Sequence, residues 1–364
     1  MPPASATQIP TSAGASAGER ISGGGSGRWS RFLQDQGLLM VILLFGFVLF
    51  LFSAEFLTRA NLINLLYQAT ILGVFAIGMT FVILTAGIDL SVGANAGLTS
   101  VLSMAAVVNW GLPPVLCLVV AIGVGLLVGL VNGLVVTRMG ISPLIATLAT
   151  LSAGTGAAFA YSNGANITPV PDFLVWIVDT KIADVPILIP IVLAGAFLAH
   201  WVLTRTSYGR SVYAVGGNPE AARLAGIRTD RVILIAYVVC GLTAAIAGLL
   251  LTGRLASGSP RAGDGIELTV IAAVVIGGTS LFGGVGSIKG TLLGVLLISM
   301  VSNAVNLLGV PSAYDQIVQG AVIFAAAGLD VYRARYTERA MSRRARATTK
   351  RDQQRQQQQQ PASA

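Results

Sequence analysis

The stretch that decides the fold is Val115-Leu-Cys-Leu-Val-Val-Ala-Ile-Gly-Val-Gly-Leu-Leu-Val-Gly-Leu-Val-Asn-Gly-Leu-Val-Val136. A single side-chain amide, Asn132, interrupts it. A membrane-spanning helix needs about 20 predominantly apolar residues. Backbone exposed to lipid must find its hydrogen bonds within the spanning structure, which leaves helices or closed barrels. Barrel strands alternate apolar and polar side chains over about ten positions. Here the apolar character is continuous. The stretch reads as a membrane helix, and the chain as an all-α polytopic membrane protein.

The surrounding sequence extends that reading. The chain has 364 residues, 54% hydrophobic and 10% charged, with a mean hydropathy of +0.77. Soluble domains carry about 25% charged residues, so lipid is the expected solvent. Its 43 glycines suit helices that approach closely in a bundle. Ten apolar stretches are expected to span: 38–52, 69–85, 92–108, 115–136, 141–161, 185–203, 232–251, 268–282, 290–308 and 317–332. Those flanking 87–93 and 283–290 are short and glycine-interrupted. They read either as the broken helices that transporters place at their pathways or as packed helices joined by ordinary turns. Residues 33–335 form the transmembrane region. Residues 1–32 read as a disordered Gly/Ser/Ala-rich tail, and 336–364 as a basic, Gln-rich one. The N-terminal segment is not a signal peptide, because no apolar core follows a short basic start.

Charge sets the orientation. Net charge is +8, which in a soluble protein would suggest nucleic acid. Here the cations sit between and after the apolar stretches. Ten spans put both termini on one side, and that side holds 19 of the 23 Lys and Arg residues. Without the tails the ratio is 7 to 4. Cations stay in the cytoplasm, so both termini are expected there. The long loop 204–231 is then cytoplasmic and the loop 162–184 external. The external loop carries Trp176, an ordinary interfacial residue, and it is also a surface that an outside protein could meet.

The cytoplasmic loop is the most informative segment. In Gly217-Asn-Pro-Glu-Ala-Ala-Arg-Leu-Ala-Gly-Ile227, Asn218 suits an N-cap and Pro219 a first helical position. Glu220 complements the helix dipole. Ala221, Ala222, Arg223, Leu224 and Ala225 favour helix, and Gly226 suits the C′ position. A helix of about seven residues is expected outside the membrane, with Ala221, Ala222 and Ala225 as a small face and Leu224 and Ile227 as apolar teeth. Such a helix can enter a groove on a partner or rest on the membrane surface.

A second segment is Gly87-Ile-Asp-Leu-Ser-Val-Gly93, followed by Asn95. A carboxylate in an apolar setting is costly unless paired or hydrated. Asp89 therefore reads as the N-cap of the next helix, assisted by Ser91, or as part of a gate or pathway with Ser91 and Asn95. A third, Gly277-Gly-Thr-Ser-Leu-Phe-Gly-Gly-Val-Gly-Ser-Ile-Lys-Gly290, invites a phosphate-loop reading. It fails because no Gly-Lys-Ser/Thr closes the run, so a tight turn is expected. Cys117 and Cys240 fall inside apolar runs and read as small buried hydrophobes. His200, the one histidine, reads as a packing or interface residue. No constellation of acids, nucleophile and base, or metal ligands is evident, so an enzyme is not expected.

Four motifs, in this order, resemble the permeases of the ribose/xylose/galactose group of bacterial ABC importers. They are Ala76-Ile-Gly-Met-Thr-Phe-Val-Ile-Leu-Thr-Ala-Gly-Ile-Asp-Leu-Ser-Val-Gly93; Asn132-Gly followed by Gly140-Ile-Ser-Pro-Leu-Ile-Ala-Thr-Leu148; the run from Gly209 to Ile227; and Ile276 to Thr291. The similarity covers roughly residues 35–335; the tails are not part of the pattern. The resemblance implies two permease copies, two ABC ATPase subunits docked on the cytoplasmic side, and a periplasmic sugar-binding protein delivering a small sugar, in the inner membrane. It makes the segment Gly217–Gly226 the coupling helix. It places ATP and magnesium on the partner ATPase, with no cofactor in this chain. A branched-chain amino-acid ABC permease and an ion-coupled secondary transporter stand as alternatives. Gly87-Ile-Asp-Leu-Ser91 favours the sugar group, and a secondary transporter would need more intramembrane carboxylates than Asp89. Which sugar is carried is not legible in the sequence.

Overall fold

A computed structural model of the chain describes residues 26–309, with side chains from residue 37, and isolated positions between 311 and 328. Most of the stretch 317–332, the tail 336–364 and most of the segment 1–32 lie outside the described residues. In chain order the elements are α1 (Ser26–Phe52), α2 (Arg59–Leu84), α3 (Val92–Val108), α4 (Leu116–Arg138), α5 (Pro143–Ser162), α6 (Asp172–Asp179), a hairpin of β1 (Lys181–Ile182) and β2 (Val185–Pro186), α7 (Leu188–Arg205), α8 (Ser207–Gly217), α9 (Pro219–Leu224), α10 (Thr229–Leu255), α11 (Ile266–Ile276) and α12 (Ile288–Leu307). α1 begins inside the segment expected to be tail, since a nucleated helix extends into its flank at little further cost. The expected external loop carries α6 and the hairpin.

Among the described residues, α2, α4, α5, α7, α10 and α12 are long and apolar enough to cross a membrane, and α3, α11 and residues 37–52 of α1 are shorter apolar helices. The chain is thus a multi-pass, all-α membrane protein.

α2 and α10 form the centre, with 78% and 56% of their most apolar windows buried, against 17% for α5 at the edge. Phe75, Met79, Ile83 and Tyr237 are fully buried between them. α10 packs on α4 through a glycine every fourth residue, Gly125, Gly129 and Gly133. A Cβ on Gly129 would lie 2.5 Å from the Tyr237 carbonyl oxygen and 2.8 Å from Val238 Cα. Small residues at this spacing let two backbones touch, which replaces the hydrophobic drive that lipid removes.

One span is discontinuous, and here the structure departs from the sequence reading. The stretch expected at 268–282 is helical only from Ile266 to Ile276. Eleven residues make a helix of about 16 Å, short of the ~30 Å hydrocarbon layer. The span is completed upstream by the non-helical residues 256–265, which run along α3. Gly258 meets Ser100 and Met104, Pro260 meets Gly97, and Gly263 meets Gly93. The irregular backbone is satisfied locally: Gly258 and Ile167 exchange hydrogen bonds of 2.9 Å, and Ser259 N–H donates to Ser100 Oγ at 3.0 Å. Non-helical backbone survives at membrane depth only when buried in protein in this way.

Candidate functional site

The extramembrane segment between α7 and α10 forms two helices. α8 starts at Thr206, whose hydroxyl accepts the Gly209 N–H at 3.1 Å. This stretch was expected within the loop 204–231, and its glycines are not helix formers. Two of them, Gly209 and Gly216, are required by close approach: a Cβ on Gly209 would strike the carbonyls of Val202 and Leu203, and one on Gly216 would strike Leu84 and Gly284. Tertiary contact therefore overrides weak propensity.

α9 is the short capped helix expected from the sequence, six residues long. Asn218 is extended, and its Oδ1 accepts the Ala221 N–H at 2.9 Å. Pro219 opens the helix. Gly226, at φ +84, closes it with Gly226 N–H on the Arg223 carbonyl at 2.9 Å and Ile227 N–H on Ala222 at 3.0 Å. Gly217, Asn218, Pro219, Glu220, Ala221, Arg223, Leu224 and Gly226 are exposed, and Leu224 is 90% exposed. Ala222 differs: at 4% exposure it belongs to the core cluster. It seats the helix and does not form part of an outward small face. Glu220 and Arg223 pair at 3.8 Å in open solvent, a contact of little energetic weight.

The glycine-rich run following α11 is the seat. It is a turn with Gly283 and Gly284 at φ +82 and +72. Gly284 N–H donates to the Leu84 carbonyl at 3.0 Å. The Tyr213 hydroxyl of α8 donates to Gly286 O at 2.9 Å. Leu84 ends α2, and Ala86 beyond it turns the chain with φ +61. Three motifs separated by up to two hundred residues thus meet backbone to backbone. Tyr208 braces α8 from the other side, stacked on Phe81 with its hydroxyl on Val232 O at 3.2 Å. Burial pushes its phenol well above the ordinary tyrosine range.

Beyond that turn lies Asp89, 1% exposed. Its Oδ1 accepts the Ser91 N–H at 2.9 Å and the Ser91 hydroxyl at 2.6 Å. Asn132 Nδ2 donates to Ser91 Oγ at 2.8 Å and lies 3.4 Å from Asp89 Oδ1. Thr150 donates to Asn132 Oδ1 at 2.6 Å, and the Tyr237 hydroxyl of α10 donates to Ile88 O at 3.2 Å. The cluster ties the α2–α3 break to α4, α5 and α10. Asp89 does not cap α3: Ser91 occupies the N-cap position without a side-chain cap bond. The reason is that its hydroxyl and N–H are both turned back onto Asp89. Asn95 is apart from this cluster; its Nδ2 donates to Gly241 O at 2.9 Å and its Oδ1 accepts from Thr99. Asp89, Ser91 and Asn95 are all buried, and none faces open space.

Sequence reading missed Asn132 and Thr150 as members of this cluster. The signal for Asn132 was its isolation in the apolar stretch 115–136. The sequence reading allowed a broken helix next to 283–290 but did not place the irregular half at 256–265, which brings Asp264 and Glu267 beside the bundle; Gly93 lies against both Gly263 and Glu267. His200 Nδ1 is buried without a hydrogen-bond partner. Among the described residues no group of His, Cys, Asp and Glu could hold a metal ion.

A glycine-packed helical bundle with a discontinuous span, and a capped helix outside it packed on α8 and α10, is a frame that suits a membrane transport subunit. Comparison with known proteins gives the class more narrowly. The family described as "Branched-chain amino acid transport system / permease component" matches residues 61–327. The ribose import permease protein RbsC of Bacillus subtilis is 43% identical over 82% of this chain and 93% of its own length. The fructose import permease protein FrcC of Rhizobium meliloti is 36% identical over 80% and 83%. The xylose transport system permease protein XylH of Escherichia coli is 33% identical over 85% and 94%. No solved structure matches the chain. The chain belongs to this family of transport-system permeases.

Proposed function

We propose that this chain is the membrane-spanning subunit of an ATP-driven bacterial importer that carries a small sugar. α9 receives a separate ABC ATPase subunit, which holds the ATP and magnesium; this chain supplies no cofactor site and hydrolyses nothing. A periplasmic binding protein delivers the sugar on the opposite face. Both termini lie in the cytoplasm and the chain sits in the inner membrane, following the cation bias of its loops. The names of the similar permeases favour a sugar over a branched-chain amino acid.

The single observation that carries the reading is the seating of α9. A capped helix exposing Leu224 sits at the end of a backbone-to-backbone chain of contacts through Gly216, Gly284 and Leu84 to the break that holds Asp89. A push on α9 is therefore delivered to the connection between α2 and α3. A second copy of the chain covers α5, whose outward face carries Ser152, Ala153, Gly156, Ala157 and Ala160. Small residues on a membrane helix suit another helix better than lipid.

The test is co-purification from detergent-solubilised membranes of cells expressing the chain with its genomic neighbours, scored for an ABC ATPase, comparing the natural chain with Leu224→Asp. Leu224 touches little of its own fold, so the variant should insert normally, lose the ATPase and lose ATP-driven uptake. Retention of the ATPase and of uptake in Leu224→Asp would remove α9 as the docking element.

A further inference from the structure

The cytoplasmic end of the α4–α10 pair, beside α9, holds a cavity of about 410 Å³. Its lining includes Arg138 at the end of α4, Arg223 on α9, and Arg228 and Arg231 at the start of α10. The only acid in the lining is Asp230, which accepts from its neighbour Thr229 at 3.4 Å. Arg223 has a distant ion pair with Glu220. Among the described residues, Arg138, Arg228 and Arg231 have no ion pair. Four arginines line one cavity with a single carboxylate among them, so its charge favours an anion. Guanidinium forks match phosphate oxygens in particular.

The neighbourhood of the cavity narrows the source of that phosphate. On α4, Leu127, Val131 and Leu134 lead up to Arg138 at helical spacing, and they are 61%, 43% and 38% exposed. On α10, Ile235 stands one turn beyond Arg231 and is 44% exposed. An exposed apolar face long enough for an acyl chain therefore leads along α4 to Arg138, which lines the basic cavity. A soluble phosphate, or an acidic patch on a protein, has no use for such a face.

We propose that this cavity binds an anionic phospholipid, with its phosphate among Arg138, Arg223, Arg228 and Arg231 and an acyl chain along Leu127, Val131 and Leu134. Basic pockets at the cytoplasmic ends of membrane helices suit such headgroups. The site is independent of which solute the chain carries.

The test is native mass spectrometry of the full-length chain in mild detergent, titrated with phosphatidylglycerol, phosphatidylcholine or inorganic phosphate. One phosphatidylglycerol should bind in preference to phosphatidylcholine. Arg138→Gln/Arg231→Gln should weaken it about 30-fold, about fivefold for each charge removed near the membrane surface. Arg138→Lys/Arg231→Lys should recover most of the loss, and Val131→Gln/Leu134→Gln should weaken the lipid while leaving the charges in place. Arg210→Gln, outside the cavity, should change nothing. Three results would each overturn the proposal: unchanged phosphatidylglycerol binding in the double Gln variant; inorganic phosphate competing as well as the lipid while Val131→Gln/Leu134→Gln has no effect; or loss of ATPase association in the double Gln variant with lipid binding intact.

Discussion

Gly216→Ala is the sharpest single perturbation of the coupling route. A Cβ at Gly216 would lie 2.5 Å from Gly284 N and 2.9 Å from the Leu84 carbonyl carbon, and would strike the Leu84 oxygen harder still. All three are backbone atoms, and the Gly284–Leu84 hydrogen bond of 3.0 Å holds them together. No rotamer change relieves the clash, so α8 must retreat by on the order of 1 Å, at an overpacking cost of about 1–3 kcal/mol. Ala returns up to ~1 kcal/mol in helix propensity. Gly195→Ala on α7 gains the same propensity with nothing within 4 Å of its Cβ. The difference between the two variants therefore isolates the seat, at about 1–3 kcal/mol. Unfolding of the purified protein in detergent measures that difference. ATP-driven uptake in proteoliposomes measures its consequence. Gly216→Ala should be the less stable variant, with uptake lost and ATP hydrolysis by the partner retained. Equal stability and equal uptake for the two variants would refute the contact as the transmitting element.

Two further outcomes follow from the packing. Gly129→Ala should destabilise by about 1–3 kcal/mol relative to Gly123→Ala on the same helix, since a Cβ at Gly123 meets nothing within 4 Å; paired unfolding curves check this. Asn132→Leu keeps the volume but strips a donor from Ser91 and an acceptor from Thr150, at about 1–3 kcal/mol for the groups left unsatisfied; hydrogen exchange should rise in the α2–α3 connection, and wild-type exchange there would count against the cluster as a brace.

Much of the fold was legible because lipid enforces simple rules. Apolar runs of spanning length became α2, α4, α5, α7, α10 and α12, and the Asn-Pro cap with its closing glycine became α9. What stayed illegible depends on contacts between distant residues. α8 was hidden because Gly209 and Gly216 look like loop residues until their carbonyl neighbours are known. The span at α11 was misplaced because its missing half, residues 256–265, is polar and irregular, and is stable only along α3. Ala222 read as a docking surface because composition alone cannot say which side of a one-and-a-half-turn helix is covered. Asn132 stood out in the sequence, yet its partner Ser91 lies forty-one residues away.

The distribution of glycine then acquires a mechanical reading. A signal passed through side chains can be absorbed by rotamer changes, because each torsion has several wells of similar energy. Contacts between backbones have no such slack, and close-packed interiors transmit strain. From α9 to the α2 terminus the route runs through Gly216, Gly217, Gly283, Gly284 and the Leu84 carbonyl, with no long side chain between. The break that follows is held by a buried carboxylate with several partners, not by continuous helix. Partial loss of the Asp89 bonds would leave a carboxylate unpaired in an apolar setting, so the hydrogen-bonded connection that follows α2 resists gradual loosening. The polar groups of Asp89, Ser91 and Asn95 are all engaged within the packed core: Asp89 and Ser91 bond to each other and to Asn132, and Asn95 bonds to Gly241 O and Thr99.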